Sequence, residues 1–266
     1  MGKFDGFYIF SDVDGTLLTR KYQLPDKTRD AIAYFTENGG RFALATGRGI
    51  NARTKELAQQ VGVNSPCILL NGAIIYDFAN DEVLSIKAPD QLAAKRFLNK
   101  ICSRLSNTHT ISAWHPYGSE QLGIFRPYMV DYSKVSPEEL NGDIIKMVIG
   151  HDKPLTEEVK SFIYESVENG LYVTSSGAEF LEIMPEGVNK GWGVERFIES
   201  LSLDRSKVIT MGDYMNDYSM LSLEGIKSFC PKVSAEDVKK VCFKTLCPVE
   251  DSPAAEVIKY IENELL

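Results

Sequence analysis

Two apolar runs, Phe7-Tyr8-Ile9-Phe10 and Val208-Ile209-Thr210-Met211, each lead straight into acidic residues. The first opens onto Asp12-Val13-Asp14-Gly15-Thr16, the second onto Gly212-Asp213-Tyr214-Met215-Asn216-Asp217. Short apolar runs bounded by turn residues read as buried strands. A chain normally keeps carboxylates away from such places, because like charges repel at close range and a buried carboxylate loses its hydration. A divalent cation held between them makes the arrangement tolerable, and leaves one carboxylate to attack a substrate. Both clusters follow their strands, and in an open parallel α/β sheet the carboxyl ends of the strands are where ligands bind. In such a sheet the two clusters meet although about 200 positions separate them. Each cluster taken alone also fits a polar loop that caps the following helix, since Asp and Asn are common N-caps.

Two smaller pieces point to the same place. Phe42-Ala43-Leu44-Ala45 reads as a strand followed by Thr46-Gly47-Arg48-Gly49. A hydroxyl and free backbone N–H groups at a strand-to-helix turn suit a phosphate oxygen. Ordinary turn chemistry accounts for the Thr-Gly pair equally well. Lys190, in Glu186-Gly187-Val188-Asn189-Lys190-Gly191, stands just before an amphipathic stretch from Trp192 to Leu201. A lysine at a helix start opposes the helix dipole, which prefers anions there. An anionic ligand explains the placement; a solvated lysine is the alternative.

The rest of the pattern supplies the sheet. The first part reads as strand, helix (Pro25 to Glu37, stopped by Asn38-Gly39-Gly40), strand, helix (Ile50 to Val61), strand and a small hairpin. The last part repeats the alternation, with strands at Val208–Met211, Ile226–Cys230 and Val241–Phe243 and a final helix from Ala254 to Leu265. Such alternation implies a doubly wound, Rossmann-like parallel sheet covered on both faces. The middle has a mixed texture. Helices near Gln91–Leu105 and Thr156–Glu168 accompany strand-like pieces at Thr108–Trp114, Gly123–Arg126, Ile144–Ile149, Leu171–Thr174 and Glu179–Ile183. The expected fold is therefore α/β, with a discontinuous core from residues 1–86 and 187–266 and an α+β insert at 87–186. One continuous large sheet is the alternative.

Charge and cysteine content narrow the partners. The 266 residues carry a formal net charge of −8, which argues against a nucleic-acid binder that relies on phosphate neutralisation. A phosphorylated small molecule is not excluded, because a metal and one lysine act locally. Five cysteines, an odd number without a C-x-x-C, fit reduced thiols in a cytoplasmic compartment better than a disulfide framework. No basic-then-apolar leader and no apolar run of membrane-spanning length is present, so neither export nor a membrane is expected. His109, His115 and His151 lack metal-ligand spacing and read as surface or packing residues.

Taken in order, D-x-D-G-T, a Thr after the second strand, a Lys and G-D-x-x-N-D resemble the haloacid dehalogenase-like phosphohydrolases. The closer resemblance is to their Cof-type branch, subclass IIB. Asp12 to Leu18 is similar to that branch's D-x-D-G-T-L-L, Ala45 to Arg48 to its A-T-G-R, and Asn71-Gly72-Ala73 to its N-G-A. Leu181 to Pro185, leading to Gly187 to Gly191, is similar to its return into the core. The resemblance spans the whole chain and reads the insert as a mobile cap that determines substrate specificity. It implies a magnesium-dependent phosphatase acting on a small phosphorylated metabolite, a sugar phosphate or a related compound. Asp12 would be nucleophile and metal ligand. Asp14 would ligate the metal through its main-chain carbonyl and act as acid and base through a side chain whose pKa negative neighbours raise. Asp213 would be the third ligand. Thr46, Gly47, Lys190 and Asn216 would hold the phosphate, with Asn216 also shaping the metal surroundings, and Asp217 would orient Lys190 from behind. Gly15 would allow the sharp turn and Thr16 would fix it through its hydroxyl. Arg48 and Asn71 would touch the non-reacting part of the substrate, although an arginine there also suits a carboxylate partner. The rival readings are a phosphomutase-type transferase on a hexose phosphate and a non-catalytic ligand sensor. Two stretches depart from the family pattern, Tyr214-Met215 within the fourth motif and Cys247 to Ala255 near the end. Oligomeric state is not legible.

Overall fold

The computed structural model describes residues 2–123 and 135–266. Its first compact unit comprises Met1–Arg48, Ala52–Ser85 and Asn189–Leu266, and its second Gly49–Asn51 and Ile86–Val188.

In chain order the first part contributes β1 (Tyr8–Ser11), α1 (Asp26–Glu37), β2 (Arg41–Leu44), α2 (Ala52–Val61), β3 (Cys67–Leu69), β4 (Ile74–Asp77) and β5 (Glu82–Ile86). The insert contributes α3 (Gln91–Leu105), β6 (Thr110–His115), β7 (Gly118–Gln121), β8 (Lys146–Gly150), α4 (Glu157–Ser166), β9 (Leu171–Gly177) and β10 (Phe180–Pro185). The chain ends with α5 (Lys190–Leu201), β11 (Val208–Met211), α6 (Tyr218–Leu221), β12 (Lys227–Cys230), α7 (Glu236–Val241), β13 (Lys244–Thr245) and α8 (Pro253–Glu264).

The core sheet is five-stranded and parallel, in the order β13-β12-β11-β1-β2. Ile9, Phe10, Phe42, Leu44, Val208, Ile209 and Phe229 are all completely buried. Consecutive rather than alternating burial is what a parallel sheet covered on both faces requires. α1 packs along α8, and Phe10 meets Phe197 of α5 edge-on at 5.2 Å. β3 continues the sheet past β2 through a parallel bridge at Ala45 and Ile68, then turns into the antiparallel β3-β4-β5 sheet.

Register positions the functional loops. Ser11 lies opposite both Met211 and Leu44, so the residues following all three strands emerge side by side. The backbone continues the pattern one step further, with Asp12 N–H donating to Met211 O at 2.8 Å and Ala45 N–H to Ser11 O at 2.7 Å.

The insert is a two-layer α+β unit with an antiparallel sheet in the order β7-β6-β8-β10-β9. One face alternates inward as Ile111, Ala113, Met147, Ile149, Leu181 and Ile183, packing with Phe97, Leu98 and Ile101 of α3 and Ile163 of α4. The opposite face carries a buried ion pair, Lys146 Nζ to Glu182 Oε2 at 3.1 Å, with Ser176 Oγ donating to Glu182 Oε1 at 2.6 Å and the Trp114 ring 5.4 Å from the ammonium.

One strand expectation changes. Val241 ends α7, Cys242 and Phe243 form the bend after it, and the two-residue strand follows at Lys244–Thr245. Glu236 with Lys239 and Asp237 with Lys240 pair at three-residue spacing and favour the helix over the apolar triplet. β7 carries no apolar alternation and was not expected; among the described residues it pairs with β6, and its Gln121 O also accepts the Val135 N–H at 2.9 Å. The strand-like piece at Gly123–Arg126 lies, beyond Gly123, outside the described residues. Among the described residues no helix is long and apolar enough to cross a membrane.

Candidate active site

The strand-end loops of β1, β2, β3 and β11 and the start of α5 come together around one ammonium group. Asn189 caps α5 by accepting the Trp192 N–H at 2.8 Å, which makes Lys190 the first helical residue. Lys190 is fully buried, and its Nζ bonds Asp12 Oδ1 and Asp217 Oδ1, each at 2.6 Å. Asp12, Asp213 and Asp217 each offer a carboxylate oxygen within 4.8 Å of the others. Three carboxylates around one ammonium leave an excess of two negative charges. Hard, all-oxygen donors with that deficit fit a magnesium ion.

Each carboxylate is held differently. Asp217 spends both oxygens inside the protein: Oδ1 on Lys190, and Oδ2 accepting the backbone N–H of Asp213 at 2.9 Å and of Tyr214 at 3.1 Å. It fixes the loop that presents Asp213. The Thr16 hydroxyl donates to Asp213 Oδ1 at 3.3 Å, which corrects the expectation that it would fix its own turn. Gly15 sits at φ +88°, and a Cβ there would fall 2.8 Å from Asp213 Cγ, so a side chain is excluded both by conformation and by the carboxylate it would strike. Asp14 points elsewhere. Its carboxylate is bound in bidentate fashion by Arg48, Nε to Oδ2 at 2.9 Å and Nη2 to Oδ1 at 2.7 Å. The arginine therefore has a carboxylate partner, the alternative raised from the sequence.

The β2 and β3 loops interlock. Thr46 N–H donates to Ile68 O and Thr46 O accepts from Asn71 N–H at 2.9 Å, while the Thr46 hydroxyl accepts the Arg48 N–H at 3.2 Å. Gly47 lies between them. Asn71 adopts φ +54° and its Oδ1 receives Asn216 Nδ2 at 3.4 Å, tying the third loop to the fourth. Gly72, at φ +105°, passes so close to Asn189 that a Cβ would lie 2.7 Å from its carbonyl carbon.

The residues of the four motifs, read from a sequence, are thus neighbours in space, and a family model for the haloacid dehalogenase-like hydrolases matches residues 9–258. The chain belongs to that family. It is 26% identical over 265 residues to a Haemophilus influenzae protein provisionally named a phosphatase, covering 96% of this chain and 95% of that one. It is 25% identical over 223 residues to the HMP-PP phosphatase of Cronobacter sakazakii, covering 80% of each. Among solved structures, a subclass IIB sugar phosphatase of the superfamily superposes with a TM-score of 0.83 at 20% identity, over 96% of this chain and 98% of that one. The fold, a parallel Rossmann-like core carrying an inserted α+β unit, is that of the haloacid dehalogenase-like hydrolases.

Burial sets the electrostatics of this hydrolase site. Loss of hydration pushes the Asp12 carboxyl up to about 7, against the pull of Lys190 and with the push of Asp217 and Asp14. Burial, then Asp12 and Asp217, push Asp213 up to about 8. Burial works against the Lys190 ammonium, but Asp12 and Asp217 outweigh it and hold its pKa above the ordinary lysine value. Without a cation the cluster therefore retains protons at neutral pH; with one it can hold its full charge. His115 belongs to the insert, bonded to Asp143 O and Glu120, and the His109 and His151 rings lie 5.1 Å apart in the same unit. The contact that the sequence did not reveal is Ala235 N–H to Asp213 O at 2.9 Å, because nothing in Ser234-Ala235-Glu236 marks it beyond a helix start.

Proposed function

We propose that this protein is a magnesium-dependent phosphomonoesterase that works through an aspartyl-phosphate on Asp12. The observation that supports it best is the buried Lys190 bridge between Asp12 and Asp217, with Asp213 in the same cluster. Asp12 and Asp213 would hold the cation, together with the main-chain carbonyl of Asp14. When bound, the cation offsets phosphate charge that would otherwise repel the nucleophile. Lys190 holds Asp12 by one oxygen, which orients the other toward the phosphorus. An Asp12 oxygen then bonds to phosphorus as the ester P–O bond breaks, and Asp14 gives its proton to the departing alcohol. Asp14 next takes a proton from water, whose oxygen attacks the phosphorus and releases Asp12 and orthophosphate. For both transfers Asp14 exchanges the Arg48 fork for the leaving oxygen or the water. Thr46, Gly47, Lys190 and Asn216 steady the transferring oxygens. Arg48 and Asn71 reach the remainder of the substrate.

The substrate we favour is a small sugar phosphate or a related metabolite, selected by the inserted unit, residues 87–186, acting as a specificity cap domain for the catalytic core of residues 1–86 and 187–266. The relative with sugar-phosphatase activity shares the whole fold, which supports that class. Reduced cysteines support a cytoplasmic setting. Orthophosphate release from a panel of phosphorylated metabolites, with and without magnesium, tests the reading. Expected is magnesium-dependent release that Asp12→Asn lowers at least about a thousandfold. Turnover that survives this substitution refutes the nucleophile, and a requirement for a sugar bisphosphate identifies a mutase instead.

A further inference from the structure

At the opposite strand ends from the acidic cluster, and unused by it, a cavity of about 650 Å³ lies in the first compact unit. Tyr8 and Arg41, register partners that begin β1 and β2, line it, whereas Asp12 and Thr46 follow the far ends of the same strands. The four residues of β1 alone set about 13 Å between the two places. The volume falls within the about 300–1,000 Å³ of small-molecule pockets. Its apolar wall is Tyr8, Pro66, Ile75, Leu84, Phe197 and Leu201. Leu84 of β5 and Leu201 of α5 are each half exposed, an unfavourable state that an occupant would relieve. The fold fixes the wall without an occupant: Asn64 Oδ1 accepts the Phe42 N–H and Asn64 Nδ2 donates to Gly40 O, both at 2.9 Å, and Phe10 meets Phe197 edge-on.

Three charged residues line the same cavity. Arg196 forms an ion pair with Glu199 along α5. Arg41 donates through Nη1 to Asn64 O at 3.1 Å, and among the described residues no carboxylate pairs with it. The lining therefore carries one net positive charge, that of Arg41, in a chain of net charge −8. We infer that this cavity binds a small amphipathic monoanion, an aromatic or branched aliphatic body that carries one carboxylate or sulfonate. The body covers Leu84 and Leu201, and the anion takes the remaining N–H groups of the Arg41 fork. A second copy of this chain is the less suited occupant. Across a two-fold axis the cavity would face itself, which leaves it unfilled and sets Arg41 against its own equivalent. Lys190 begins α5 and Leu201 ends it, so the occupant touches the far end of the helix that carries the buried ammonium. The inference does not rest on the proposed phosphatase activity.

The test titrates the full chain with anilinonaphthalene sulfonate, an aromatic body bearing one sulfonate, and with phenylnaphthylamine, the same body without the charge, both read by fluorescence. Expected is saturable binding of one sulfonate probe per chain, which magnesium with orthophosphate does not displace. Arg41→Gln should weaken the sulfonate probe at least about tenfold and the uncharged one by less than about twofold. Leu84→Asp should weaken both at least about tenfold. Independently of any variant, the sulfonate probe should slow hydrogen exchange of the unaltered chain in the peptide containing residues 196–201. Displacement by magnesium with orthophosphate, equal sulfonate binding by a folded Arg41→Gln, or unaltered exchange at residues 196–201 overturns the inference. A dimer that excludes the probe identifies a second copy as the occupant and likewise overturns it.

Discussion

Binding a cation at this site should expel protons, and the number follows from the structure. Burial and carboxylate crowding raise Asp12 to about 7 and Asp213 to about 8. A cation needs both as carboxylates. At pH 7 the first is about half protonated and the second about nine-tenths, so each magnesium bound should release about 1.4 protons. The release should rise to about 1.9 at pH 6 and fall to about 0.3 at pH 8.5. Lys190 stays charged throughout, because its pKa is raised, and contributes none. Affinity follows by linkage, strengthening about 50-fold from pH 6 to 7 and about tenfold from pH 7 to 8. Calorimetric titration with magnesium in two buffers of different ionisation enthalpy reads both quantities. The same shifts fix the sign for folding. Carboxyls whose folded pKa lies above the unfolded value near 4 add stability that is fully present below about pH 4 and lost as pH rises through 7 and 8. The cation-free protein should therefore lose stability over that window, and the increase in Tm that magnesium gives should be larger at pH 8 than at pH 6. A release near zero from pH 6 to 7 with a flat affinity profile would refute the burial argument.

Further outcomes follow from single contacts. Lys190→Met strips the ammonium from two buried carboxylates and should cost about 3–5 kcal/mol at pH 8 in chelator, with part regained at pH 5.5 as Asp12 takes up a proton; equal losses in urea unfolding at both pH values would contradict this. Gly15→Ala forces a side chain into the left-handed region and against Asp213, so it should destabilise the fold by about 1–3 kcal/mol and weaken magnesium binding at least about tenfold; unchanged calorimetric affinity would show that the turn can move. Asp14→Asn keeps the main-chain carbonyl and should leave magnesium affinity within about threefold while slowing aryl phosphate turnover by about a hundredfold or more; an unaltered rate removes Asp14 from proton transfer.

Each piece of the site was legible because it is written within a few residues at a strand end. Asp12-x-Asp14-Gly15-Thr16 and Gly212-Asp213 need no partner to be noticed. The Thr16 hydroxyl was misassigned because its acceptor, Asp213, stands 197 positions away. Edge strands were the least legible elements of the fold. Among the described residues the strands Gly118–Gln121 and Lys244–Thr245 each form a ladder with one neighbour and need no apolar face, so no periodicity betrays them. The buried Lys146 was hidden by the opposite effect: in a run of apolar residues it reads as an interruption, and only β8 against β10 shows the Glu182 that neutralises it.

What no local motif contains is the register that makes one site of five loops. Ser11 opposite Met211 and Leu44 sets Asp12 beside Gly212 and next to the turn that carries Thr46. A slip of one residue between β1 and β11 would move Asp12 by about 3.3 Å and turn successive side chains to opposite faces. Lys190 at 2.6 Å from both Asp12 and Asp217 has no room for that displacement. The register is fixed instead by burial along both strands, where Ile9, Phe10, Val208 and Ile209 fill the two covered faces of the sheet. The apolar tetrads that drive folding therefore also set the geometry of the carboxylates, and the cluster is carried by a core able to offset the repulsion it stores.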